Sequence, residues 1–218
     1  MTSTMSHNPN PTKVGDKPAD PYTAKVHQND VPLKVKMDSL LNFIHKCKHG
    51  MLTTRDSNTG LLASRCMQLS ATESNGTDLL FYTNTASHKV EELSVDPHVN
   101  VSFVNTAGDW ASIAGSASII KDRAMIERYY NPVLKTWLGD LGDGKHDGSA
   151  SDPRLGMIRV KMDTATCSLS DGGLFTRAAE AVHGVMGQPG HMTKLREITA
   201  EEVNQWRSGG SATATASS

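Results

Sequence analysis

Cysteine is scarce in this chain: three residues in 218, Cys47, Cys66 and Cys167, no two of them close together. An odd, scattered set makes neither a disulfide framework nor a zinc ribbon, and a reducing cytoplasmic compartment is the simplest expectation. Net charge is also lacking. At -1 there is no global attraction for nucleic acid or an anionic membrane, and neither is expected as a partner. No apolar run approaches the ~20 residues needed to span a bilayer. The first twenty residues carry no apolar h-region and few basic residues, so neither a secretory signal nor a transit peptide is expected.

Several chemical signatures are missing too. Gly139, Gly142, Gly144 and Lys145 superficially imitate a phosphate loop. His146 stands where the magnesium-binding hydroxyl must be, so an ordinary loop is expected. There is no G-x-S-x-G elbow. His45 and His49 share a helical face around Cys47. With no third ligand evident, they read as charges complementing a helix C-terminus, and no metal site is expected.

What is present is a pattern of short strands. Residues 1–30, rich in Pro, Asn, Asp, Thr and Ser, read as a flexible tail. Leu33, Met37, Leu40, Leu41, Ile44 and Cys47 then form one apolar helical stripe, with Gly50 as its natural stop. Strand signals follow at Met51–Arg55, Leu61–Leu69, Leu79–Thr83, Val99–Val104, Trp110–Ile120 and Leu155–Met162, with Ala165–Leu169 expected to pair with the last. Asp56–Gly60 and Asn75-Gly76 mark turns. A short helix starts near Ser87 and ends before Asp96-Pro97, and Asp122 is placed to cap another helix around Ala124–Tyr130. A further helical piece covers Asn131–Trp137, and 138–152 is a Gly- and Asp-rich loop. Strands at turn-separated intervals, without a helix between each pair, predict a mainly β protein with peripheral helices: an antiparallel barrel, not a Rossmann sheet. The domain spans 31–170. Residues 171–207 form a helical extension, with a helix at Leu174–Met186 and a Thr199–Glu202 capping box opening another, and 208–218 is a disordered tail.

Two stretches carry candidate chemistry. In Phe81–Leu93 a strand runs through a polar turn into a helix whose first turn offers Ser87, His88 and Lys89. Free N–H groups and the helix dipole make such a start suited to an anion, although an ordinary capped helix with a solvated lysine has the same appearance. In Ser64–Leu69, alternation puts Arg65 and Met67 on one face and Cys66 and Gln68 on the other. An arginine within an apolar strand needs an anionic partner or an exposed edge. Arg65 and Lys89 together suit a phosphate.

The combination Phe81-Tyr-Thr-Asn, Ser87-His-Lys89, Leu93, Asp96-Pro97 and Val99 resembles the pyridoxamine-phosphate-oxidase-like flavin split barrels. Met51–Arg55, Ser64–Met67, Lys89–Leu93, Asn131-Pro132 and Leu134–Trp137 point to the general-stress-protein branch and to the blue-light-inducible proteins of filamentous fungi. The resemblance covers roughly Leu33 to Leu169. It implies a six-stranded Greek-key split barrel that binds flavin mononucleotide (FMN, with FAD possible) at the interface of a homodimer. Carried over by position, Arg65, Ser87, His88 and Lys89 would hold the phosphate. Cys66, Met67 and Gln68 would line the isoalloxazine ring, and Tyr82 and Thr83 would flank the ribityl-phosphate end. Trp137 would either join them or pack in the core.

Departures from the family narrow the expected function. The oxidases have arginine where this chain has His88, and a substrate-binding lysine where it has Ser70. Their C-terminal Arg-Leu-His-rich segment has no match after Gly172, and the aromatic-Trp pair of related barrels is replaced by Ser168-Leu169. The expectation is a flavin-dependent oxidoreductase of unknown small-molecule substrate, tied to stress, and not a pyridoxamine phosphate oxidase. The alternatives are a non-catalytic flavin carrier or sensor and a haem-binding barrel, for which His88 and His98 are the candidate ligands. Cys66 is expected to be a small buried core thiol and not a photochemical partner.

Overall fold

A computed structural model describes residues 13–14, 17–18, 28–170 and 193–209. Its first long element is α1 (Leu33–Cys47). Met37, Leu40 and Ile44, from the apolar stripe, are fully buried against the barrel, as the three- and four-residue spacing requires. The helix ends earlier than expected. Lys48 takes the left-handed conformation at φ 60 and its N–H bonds Ile44 O at 3.1 Å. Gly50 serves another purpose: it lies inside the next strand, where a Cβ would stand 2.8 Å from the Phe103 ring.

Six antiparallel strands form the barrel: β1 (His49–Arg55), β2 (Leu62–Glu73), β3 (Asp78–Asn84), β4 (His98–Val104), β5 (Trp110–Ile120) and β6 (Leu155–Ser170). Their order is β3-β2-β1-β4-β5-β6, and β6 closes the ring by pairing with β3 through Asn84↔Leu155 to Asp78↔Lys161. Ala165–Leu169 does not fold back on Leu155–Met162 as expected. The two are one strand, because no turn residue separates them. Only a bulge intervenes, where Ala114 pairs with Thr164 and Gly115 with Met162.

Two further differences concern the segments around the barrel. The extension expected to be helical contributes a strand, β7 (Thr193–Ile198), which pairs with Ala165–Ser170 of β6. It leads into the last helix, α5 (Ala200–Gly209). The capping box at that start is formed, with Thr199 N–H donating to Glu202 Oε2 at 3.0 Å and Glu202 N–H to Thr199 Oγ1 at 3.3 Å. Glu202 Oε1 also receives buried Lys36 Nζ of α1 at 2.7 Å, which ties the two helices. The expected helix at Leu174–Met186 lies outside the described residues. A small antiparallel pair, Lys13–Val14 with Lys17–Pro18, occurs within the segment read as a tail.

Between the strands sit α2 (His88–Val95), α3 (Arg123–Tyr129) and α4 (Val133–Leu138). Asp122 caps α3, accepting from Met125 N–H at 2.8 Å. The barrel interior holds the main core, including Leu52, Phe81, Val101, Phe103, Ile113, Ile158 and Val160. A second core packs Leu80, Tyr82, Ile126, Leu155 and Met157 under the α3–α4 excursion. That double coverage buries β3 on both faces. No described helix is long and apolar enough to cross a membrane.

Candidate functional site

Two adjacent residues on β2 and two on β3 lead into different surroundings. On β2, Arg65 and Met67 turn inward while Cys66 and Gln68 are exposed, as alternation predicts. On β3, Thr83 is buried in the barrel wall and its hydroxyl receives Lys89 Nζ at 3.3 Å. Lys89 also bonds Ser87 Oγ at 3.0 Å. Ser87 occupies the N-cap position of α2 in extended conformation, but its hydroxyl donates to Asn84 O at 2.6 Å and caps no N–H. Lys89 therefore rests on hydroxyls, and among the described residues no carboxylate forms an ion pair with it. Burial, followed by the nearby Arg65 guanidinium, pushes its pKa below the ordinary lysine value. A half-buried ammonium next to a guanidinium is a place where an anion gains and a cation loses. The fit to a phosphate rests on this pairing, with Ser87 and Thr83 as hydroxyl partners.

The anionic partner that Arg65 requires is supplied within the chain. Its Nη2 donates to Glu92 Oε2 at 2.9 Å, and Thr54 joins the pair by bonding both side chains. Glu92 is only 1% exposed. Sequence reasoning missed both Thr54 and Glu92. The available signal was that Glu92 stands one helical turn from His88, on the face that Leu93 helps bury.

His88 is placed differently from Lys89. Its Nε2 lies 3.0 Å from Asp56 Oδ2 and its Nδ1 3.1 Å from Glu91 Oε2. These two hydrogen bonds, Asp56 first, raise its pKa, so a phosphate is not needed to favour the charged ring. With both nitrogens facing carboxylates, His88 brings no free donor to the Lys89 group.

The outward residues of β2 open onto a cleft of about 200 Å³. It is lined by Cys66, Met67, Gln68, Leu69, Ser70 and Tyr82 from the barrel, and by Tyr129, Asn131, Val133, Leu134 and Trp137 from the excursion. Trp137 is 54% exposed, which removes the core-packing role. Cys66 is exposed as well, so the expectation of a buried core thiol does not hold. Outward-facing strand positions are buried only where something covers them, and among the described residues nothing covers residue 66. Tyr82 donates its hydroxyl to Ile126 O at 3.0 Å, and burial raises its pKa. His88 and His98 do not line the cleft, and His98 is engaged by Asp96 at 2.7 Å. Among the described residues, the cleft thus offers no histidine to a haem iron.

Ser168 and Leu169, at the end of the barrel, are buried beside β7 through Ser168↔Leu195 and Leu169↔Lys194. The place where related barrels carry an aromatic pair is therefore covered by this chain's own strand.

Comparison with known proteins agrees with this geometry. Residues 35–189 match the family model described as pyridoxamine 5'-phosphate oxidase like. Protein bli-3 of Neurospora crassa is 53% identical over 196 residues, covering 89% of this chain and 94% of that protein. Among solved structures, the general stress FMN/FAD binding protein of Xanthomonas citri superposes with a TM-score of 0.53 at 24% identity, covering 65% of this chain and 93% of that one. A protein related to general stress protein 26 from Clostridium acetobutylicum gives 0.55 at 17% identity, covering 79% and 99%. At these identities the structural matches speak for the fold.

Proposed function

The chain belongs to the pyridoxamine 5'-phosphate oxidase like family, and from that premise we propose that it binds FMN through Lys89, Ser87, Thr83 and Arg65 and serves as a flavin-dependent oxidoreductase linked to stress. The observation that carries the reading is the half-buried Lys89 ammonium, held by two hydroxyls beside a guanidinium and without a carboxylate of its own. The cleft beginning at the next residue of β2 fits a planar ring: an exposed indole, two tyrosines and amide side chains line it. FMN supplies the redox chemistry when bound, which no side chain here provides. The protein's part is to grip the phosphate and to present Cys66–Gln68 and Trp137 to the ring.

A cleft of about 200 Å³ falls below the ~300–1,000 Å³ of sites that enclose a cofactor-sized molecule. The described residues of one chain thus supply part of the site, and a second copy is the proposed remainder, with flavin at the interface of a homodimer. The site is not that of a pyridoxamine phosphate oxidase. Ser70 lines the cleft where a substrate-binding lysine would stand, and the end of β6 is occupied by β7.

One observation favours a carrier or sensor over an enzyme. Among the described residues that line it, the cleft has no histidine or carboxylate, and its tyrosines have raised pKa values. A substrate that needs proton transfer finds no general acid or base poised near neutrality. Turnover of reduced flavin by a nicotinamide donor and a small-molecule acceptor separates the two readings.

The test is flavin titration of wild type and Lys89→Ala, followed by flavin fluorescence. Loss of a charge-assisted hydrogen bond of ~1.5–3 kcal/mol predicts about 10- to 100-fold weaker binding. Unchanged affinity, or a wild type that takes up no flavin, refutes the assignment.

A further inference from the structure

The β1–β2 turn and the first turn of α2 meet at a group that the flavin reading does not use. One donor atom from each of Asp56, His88 and Glu92 lies within 4.8 Å of the other two. His88 Nε2 stands 3.0 Å from the Asp56 oxygen and 3.6 Å from the Glu92 oxygen. A tetrahedral cation bound ~2.0–2.1 Å from each donor holds its donors about 3.3 Å apart. The two observed separations bracket that value.

Each donor is aimed by a partner behind it. Asp56 commits Oδ1 to Asn58 N–H, Thr59 N–H and the Thr59 hydroxyl, at 3.0, 2.7 and 2.8 Å, which leaves Oδ2 for the site. Glu92 commits Oε2 to Thr54 and Arg65. Its Oε1 faces the imidazole, 3.6 Å from His88 Nε2, on a side chain that is 1% exposed. Behind the ring, Glu91 Oε2 takes Nδ1 at 3.1 Å. A carboxylate there selects the Nδ1–H tautomer and turns the Nε2 lone pair toward the other two oxygens, the arrangement that supports metal-bound histidines. That lone pair must then meet a cation or a second proton.

We propose that Asp56, His88 and Glu92 form a binding site for a first-row divalent metal ion of the zinc type, with a fourth position open to solvent. The imidazole selects such an ion over magnesium or calcium, which prefer all-oxygen sets. Asp56, Glu91 and Glu92 place three carboxylates around the imidazole. The site takes its ligands from residues other than Lys89, Ser87 and Thr83, and meets the flavin reading only at Arg65, which holds Glu92 Oε2. His88 is its ligand and not a phosphate contact.

The experiment uses the full chain, freed of metal, in buffer containing excess magnesium. Zinc is titrated by equilibrium dialysis, and cobalt is followed by its visible absorption. Nine histidines in the chain make a comparison of variants necessary. Wild type is expected to bind one equivalent more than His88→Ala or Asp56→Asn. The asparagine keeps Oδ1, so the turn and the fold are retained. Glu91→Gln, which spares the three ligands, is expected to weaken binding about 10- to 100-fold. Zinc is also expected to raise the melting temperature of wild type, a reading that needs no variant. A wild type without that equivalent and without a zinc-dependent melting shift overturns the proposal. So does an equivalent that survives in both His88→Ala and Asp56→Asn.

Discussion

Arg65 can be tested for the role that the structure gives it, which is to neutralise a buried carboxylate. Its guanidinium is the only fixed cation paired with Glu92 among the described residues; the side chains are 23% and 1% exposed, and the contact is 2.9 Å. Arg65→Ala leaves that carboxylate with the Thr54 hydroxyl and the exposed imidazole of His88. Breaking a buried pair from one side costs ~3–5 kcal/mol. Because Arg65 is partly exposed, water replaces some of what is lost, and the lower end, about 3 kcal/mol, is the expected cost. For a chain of this size that is a fall in Tm of about 6–12 °C. Glu92→Gln removes the orphaned charge and keeps an acceptor for Thr54, so the double variant should recover about 2 kcal/mol of the loss. The assay is urea unfolding of the four proteins of the cycle, with Cm compared at constant m. A single-variant loss below about 1 kcal/mol, or no recovery on adding Glu92→Gln, refutes the reasoning. The result bears on function as well. Loss of flavin in an Arg65→Ala protein would report unfolding as readily as a missing phosphate contact, which is why Lys89 carries that test.

Two other perturbations follow from the geometry. Gly115 sits at the bulge between β5 and β6, where a Cβ would lie 2.0 Å from the Lys161 carbonyl oxygen. Gly115→Ala should cost about 2–3 kcal/mol, read as a lower Cm, and a variant within 0.5 kcal/mol of wild type (about the noise of such series) would show that the strands separate freely. Asp152 is fully buried, and its bond to Arg154 at 2.7 Å, the leading cause, lowers its pKa from 3.8 to about 2. A depressed carboxyl stabilises the fold above its unfolded pKa and loses that contribution as the proton returns. The stability gap between wild type and Asp152→Asn, about 2 kcal/mol, should persist above pH 4 and close between about pH 4 and pH 2. A gap unchanged at the acid end would mean the carboxylate is not what matters.

Much of the architecture is legible in the chain itself. The stripe from Leu33 to Ile44, the alternation of Arg65, Met67 and their neighbours, and the turn at Asn75-Gly76 are local signals, and each matches an element of the structure. So are the Asp122 cap and the Thr199–Glu202 box, where side chain and backbone lie within a few residues. Local chemistry also singled out Lys89 and Ser87 at a helix start. The errors share a different cause. Gly50 read as a helix stop because glycine commonly is one, but it is needed for the approach of Phe103, more than fifty residues away. Ala165–Leu169 read as a separate strand because a bulge leaves no mark in composition. Cys66 read as core because burial depends on what covers a face.

The candidate site divides the same way. The sequence by itself determined a helix start that carries Ser87, His88 and Lys89, and an arginine in β2 that demands a counter-charge. Only the tertiary structure decided what answers that demand, since closing the barrel brings α2 against β1 and β2 and buries Glu92 between Thr54 and Arg65. It also decided that His88 joins Asp56 across 32 positions and leaves Lys89 to its hydroxyls. Periodicity fixes which face a residue takes, because that depends on its own backbone. Which charge it meets depends on how distant strands close, and that is set by packing across the whole barrel.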